Sequence, residues 1–93
     1  MPPAEDLVFA ERAAREALSS DAGDKSFSWE NPASGARGTV TPLSVTYRMD
    51  GELCRDFLAS HVVRGEETWL QGEACRLAKG PWEVRRMKPW RRT

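Results

Sequence analysis

The sequence predicts an α+β fold, in which an N-terminal amphipathic helix packs on a small antiparallel β-meander of four to five strands. Three observations carry this expectation. Apolar residues recur at helical spacing over residues 4–20. From Phe27 onward the apolar pattern is that of strands. Glycine-bearing breaks at Asp50-Gly51, Arg64-Gly65 and Lys79-Gly80 follow one another at 14- to 15-residue spacing, as hairpin turns do.

In the helix, Leu7, Ala10, Ala14 and Leu18 share one face, with Val8 and Ala17 beside them. Glu11 with Arg15, and Arg12 with Glu16, are opposite charges four residues apart on the solvent side. Pro2 and Pro3 stand where a helix can start, and Asp21-Ala22-Gly23 is a suitable stop. The small alanines let the helix lie close to a sheet. Residues 1–24 thus read as helix and linker, and residues 25–93 as an antiparallel β region with a basic C-terminal tail. Together they form one domain.

Phe27 and Trp29 alternate with polar residues in a short strand. Asn31-Pro32-Ala33-Ser34-Gly35-Ala36-Arg37-Gly38 is loop chemistry, and Asn31, Pro32, Ser34 and Gly35 form a candidate contact loop. Longer strands are expected over residues 39–48, 53–63 and 67–77, and a short one over 82–87. Residues 88–93 are read as a tail that either hangs loose in solvent or folds back on the sheet.

Cys54 and Cys75 are the only two cysteines, and they fall on consecutive strands. A two-residue turn at Arg64-Gly65 opposes Val63 to Glu66. Counting back along both strands then opposes Cys54 to Cys75 in a non-hydrogen-bonded pair, with Cα atoms ~4.5 Å apart, within disulfide reach. The same register sorts the faces. Asp56–Glu73, Leu58–Gln71 and Ser60–Trp69 stand with the cysteines. Phe57–Gly72, Ala59–Leu70 and Arg55–Ala74 make the better core. Three-residue loops at Met49-Asp50-Gly51 and Ala78-Lys79-Gly80 would add Tyr47, Leu43, Trp82 and Val84 to that core, and the helix would cover it. A disulfide implies an oxidising compartment, the periplasm or cell surface in a bacterium.

The 93 residues carry 14 basic and 14 acidic side chains, unevenly spread. Residues 1–75 hold thirteen acids against seven bases, and residues 76–93 hold one acid against seven bases. No apolar run approaches the ~20 residues of a membrane-spanning helix. Met1-Pro2-Pro3-Ala4-Glu5-Asp6 has no signal-peptide pattern, so an envelope location presumes a leader removed or omitted ahead of it.

Several segments in order resemble the C-terminal domain of the bacterial 17 kDa outer-membrane surface antigens. They are Trp29-Glu30-Asn31-Pro32 with Ser34-Gly35, Gly38-Thr39-Val40-Thr41-Pro42, Cys54-Arg55-Asp56-Phe57, Gly72-Glu73-Ala74-Cys75-Arg76, and Gly80 with Trp82. The helix ending at residues 13–18 is similar too, and the resemblance covers roughly residues 5–86. It implies a cell-envelope location, outer membrane or periplasm, and antigenicity, and brings no catalytic residues to carry over. Such proteins are typically lipoproteins with a glycine-zipper segment ahead of this domain. These 93 residues contain neither that segment nor a lipid-attachment cysteine.

No catalytic residues, metal or cofactor are expected. His61 is the one histidine and sits on a strand beside Ala59 and Val63, as a packed residue. Asp56 and Glu73 are read as solvated carboxylates near Arg55 and Arg76 rather than an acid–base pair. Arg85, Arg86, Lys88, Trp90, Arg91 and Arg92 combine positive charge with an indole, which suits anionic lipid, lipopolysaccharide or peptidoglycan carboxylates. Another envelope protein, met through a sheet edge or the alanine-rich helix, is the third possibility. A cytoplasmic nucleic-acid-binding or regulatory protein using the basic tail is the alternative, with nucleic acid ranked below envelope partners.

Overall fold

The computed structural model describes residues 1–20 and 25–90, with the backbone alone at Ser44. Helix α1 (Ala4–Ser19) is followed by strands β1 (Phe27–Asn31), β2 (Ala36–Met49), β3 (Glu52–Val63), β4 (Glu66–Arg76) and β5 (Glu83–Pro89). The strands form one antiparallel sheet in sequence order, β1-β2-β3-β4-β5. Helix plus antiparallel meander is the expected architecture. The proposed helix stop at Asp21-Ala22-Gly23 lies outside the described residues.

Helix α1 starts after Pro3, whose carbonyl accepts hydrogen bonds from the Asp6 and Leu7 amides at 3.0 and 3.1 Å. Its buried face is Asp6, Ala10, Ala13, Ala14, Ala17 and Leu18. That face is turned from the predicted one, for Val8 is exposed and an aspartate takes an inner position. Four alanines on the buried side bring the helix backbone down onto β1 and β2. On the outer side, the Arg12 guanidinium lies over the Phe9 ring, 5.3 Å from its centroid.

The turns set which side chains face the helix. Arg64 and Gly65 both have positive φ, 51° and 78°, the signature of a two-residue type I′ turn. Val63 therefore opposes Glu66, and Cys54 opposes Cys75, as expected. Asp50 and Gly51, at φ 52° and 81°, make a second such turn rather than the three-residue loop expected there. The one-residue difference carries Tyr47 to the other face, opposite Cys54. A bulge between Pro42 and Thr46, in which Leu43 falls, then shifts the register by two residues without changing which parity of β2 faces the helix, so that Val40 opposes Ala59 and Pro42 opposes Phe57. At the last turn the positive φ falls on Ala78, at 47°, rather than on Gly80. Ala74 still opposes Val84, and Trp82 reaches the core.

The core combines the helix alanines and Leu18 with Trp29, Ala36, Val40, Phe57, Ala59, Leu70, Ala74 and Trp82. Phe57 and Gly72 are an opposed pair, and the phenyl ring occupies the space above the glycine. A Cβ at Gly72 would sit 2.1 Å from Phe57 Cζ, closer than any real contact. Gly72→Ala should therefore displace the ring and cost about 1–3 kcal/mol through overpacking. A urea titration checks this, and an unchanged midpoint would show that the ring has room to move.

Candidate functional site

Two polar arrangements stand out, one buried under the helix and one on the opposite, open face of the sheet. The buried one centres on Asp6, in the first turn of α1, where a carboxylate also suits the helix dipole. Its Oδ1 accepts hydrogen bonds from Asn31 Nδ2 at 2.8 Å and Ser34 Oγ at 2.7 Å. Its Oδ2 accepts from His61 Nε2 at 2.9 Å. Asp6 is 2% exposed and His61 5%, so this polar clip is almost dry. The hydrogen bonds from His61 and Ser34 hold the Asp6 carboxyl below its ordinary pKa of 3.8, against burial, which would raise it.

This clip changes the reading of several candidates. Asn31 and Ser34 of the predicted contact loop turn inward to α1, while Pro32 and Gly35 remain exposed. Gly35 has φ 78°, and its amide donates to the Asn31 carbonyl at 2.9 Å, closing the turn. His61 is a packed strand residue, as expected. Its ring lies 5.9 Å from that of Trp29, whose Nε1 lies over Gly38 of the intervening strand. Ser34 donates to Asp6 and not to His61, so the three do not form a relay in which a base activates a nucleophile.

On the open face, Cys54 and Cys75 are joined, with Cα atoms 4.1 Å apart. Beside them, the Tyr47 hydroxyl meets Asp56 Oδ1 at 2.7 Å and Glu73 Oε2 at 2.5 Å, its one proton shared between two acceptors. Asp56 also accepts from Gln71 Nε2 at 3.3 Å. Asp56 and Glu73 are thus bridged by a phenol, not left as solvated carboxylates. Burial, then the hydrogen bond to Glu73, pushes the Tyr47 pKa up, so the phenol stays protonated. Arg55 is tied elsewhere, its Nε donating to the Leu43 carbonyl inside the bulge.

The basic segment is structured through Trp90. Strand β5 takes in Arg85, Arg86 and Lys88, and the Trp90 amide donates to the Trp69 carbonyl at 2.9 Å. The tail expected from residue 88, loose or folded back, is strand as far as Pro89; ladder hydrogen bonds to β4 outweigh the polarity of the side chains. Arg85 reaches the carboxylates of Glu52 and, at 3.3 Å, Glu83. Arg86 and Lys88 stand opposite Glu73 and Gln71 and remain exposed. Arg91 and Arg92 lie outside the described residues.

Residues 16–83 match the family model described as "17 kDa outer membrane surface antigen". The chain belongs to this family. Among curated relatives, the "17 kDa surface antigen" of Rickettsia bellii is 35% identical over 80 residues, covering 86% of this chain and 50% of the relative. Those of Rickettsia prowazekii and Rickettsia felis are 33% and 32% identical over the same shares. The chain spans about half the length of the curated relatives it matches. No solved structure matches it significantly. Among the described residues of this surface antigen domain, no helix is long and apolar enough to cross a membrane.

The clip predicts a pH dependence. Because the folded-state pKa of Asp6 lies below the unfolded value of 3.8, its stabilisation is complete above that value and is lost as pH falls through the lower folded one. Asp6→Ala strips the acceptor from three donors, two of them on the buried side chains of Asn31 and His61, and should cost on the order of 2–4 kcal/mol at neutral pH. Unfolding curves for wild type and variant should converge as pH drops below 3.8. A gap that stays constant down to pH ~2 would contradict this account of Asp6.

Proposed function

We propose that this surface antigen domain is a non-catalytic structural or interaction module of the cell envelope, in the outer membrane or periplasm. The observation that carries the proposal is the buried Cys54–Cys75 disulfide across the central hairpin of a chain from this family. A cross-strand disulfide persists in an oxidising compartment, and a cytosolic nucleic-acid-binding protein would have little use for one. The side chains most able to act in catalysis are occupied. His61 and Asp6 hold the helix to the sheet, and Asp56 and Glu73 hold Tyr47.

The contact surface on this reading is the exposed edge strand β5, where Arg86 and Lys88 with Trp90 offer positive charge and an indole to an anionic envelope surface. In the sequence Arg91 and Arg92 follow with the same charge, while Arg85 is paired with Glu52 and Glu83.

Fractionation of native cells combined with alkylation tests the proposal. The protein should sediment with the envelope or appear in the periplasm, and carry no alkylatable thiol before reduction. Raising salt should weaken the part of the association due to β5, because screening shortens charge reach to about 8 Å at physiological strength and further above it. Recovery in the cytosol with both thiols free would contradict the proposal.

A further inference from the structure

The open face carries one more feature, distant from the disulfide; it meets the β5 charges at Trp90, two residues beyond Lys88. A single row of neighbouring residues crosses four strands and ends at the residue after β5: Ser28, Thr39, Ser60, Trp69 and Trp90. It starts in three hydroxyls and ends in two indoles, which are 38% and 37% exposed. The first four residues line a cleft of about 620 Å³, walled by Glu30, Arg37 and Glu67.

The cleft is built rather than incidental. Trp69 Nε1 donates to Glu67 Oε1 at 3.1 Å, which fixes the indole plane. At the floor, Ser60 is 5% exposed, and its Oγ accepts from the Thr39 amide at 2.9 Å and pairs with Thr39 Oγ1 at 3.0 Å. That pairing consumes one of the two hydroxyl protons and leaves the other to a ligand. The charges in the wall decide against polyanions. Glu30 opposes Arg37, and Glu67 opposes Val62 beyond it, so two carboxylates outweigh one guanidinium. Nucleic acid and anionic head groups need a basic lining.

We propose that this cleft binds an uncharged glycan. A pyranose ring is amphipathic. Its C–H face carries slight positive charge and suits the negative face of an indole, and its rim of hydroxyls needs partners that both donate and accept. Trp69 supplies the first surface. Ser28, Thr39, Arg37 and the carboxylates supply the second. Trp90, one strand or about 5 Å further along the row, offers a platform to the neighbouring sugar. The proposal deepens the reading of this domain as an envelope interaction module and rests on it for the source of the glycan. Sugar binding itself needs no particular compartment.

The test uses the full, disulfide-bonded chain titrated with chitotetraose and cellotetraose, followed by calorimetry and by amide shifts at Ser28, Thr39 and Trp69. At least one sugar should saturate at millimolar concentration, with shifts confined to the cleft. Trp69→Ala should weaken it about tenfold, given the stacking and burial an indole contributes. Val8→Ala, on the exposed side of the helix, should leave it unchanged. Failure of both sugars to saturate overturns the proposal, as does Trp69→Ala binding equal to wild type. Anionic vesicles are the control: if Trp69→Ala abolishes their binding and neither sugar binds, the cleft is a membrane contact and the proposal is wrong. Envelope location without sugar binding would spare the functional reading and sink this one, and sugar binding by a cytosolic protein would do the reverse.

Discussion

The register of the β3–β4 hairpin is the constraint on which the remaining structure depends. With two residues in the turn at Arg64-Gly65, one parity of β3 places Cys54, Asp56 and Ser60 on the open face. The other parity places Phe57, Ala59 and His61 under the helix. A slip of one residue would turn the two faces of β4 over against those of β3. It would part the cysteines and move Gly72 away from Phe57, while His61 keeps its place against Asp6 through the pairing of β3 with β2. One short turn thus sets the covalent staple and the Phe57–Gly72 core pair at once. In a domain of this size, where burial alone supplies little surplus stability, that coupling matters.

The helix is held by shape and by chemistry together. Its alanines allow a close approach to β1 and β2 but bury little area each, so packing alone would fix its position weakly. The bonds from Asp6 to Asn31, Ser34 and His61 add direction, since they can form only at one rotation and one depth. The result is a sheet with one face sealed and the other exposed, stiffened by a disulfide through its central hairpin. Such a platform suits recognition by fixed side chains better than chemistry that needs moving parts.

The hairpin and its disulfide were legible because period-two alternation and two cysteines constrain the same register independently. Tyr47 was misplaced because Met49-Asp50-Gly51 serves as a three-residue loop or as a two-residue turn, and local chemistry does not choose between them. The bulge between Pro42 and Thr46 leaves no mark in the pattern. Asp6 was missed because an acid in the first helical turn reads as a solvated complement to the dipole. The signal was His61, whose parity with Phe57 and Ala59 put an imidazole in the core and required a partner from the helix. The end of β5 was read as tail because its side chains are basic, although strand pairing engages the backbone.

A change in the length of the Arg64-Gly65 turn tests the dependence on register most directly. One glycine inserted after Gly65 shifts β4 by one residue against β3, whereas two inserted glycines keep the original opposition in a four-residue loop. The two-glycine variant should form the Cys54–Cys75 bond, show native circular dichroism and lose little stability. The one-glycine variant should show free thiols and no cooperative unfolding transition. If both variants form the bond and unfold alike, the hairpin register is not what holds this fold together.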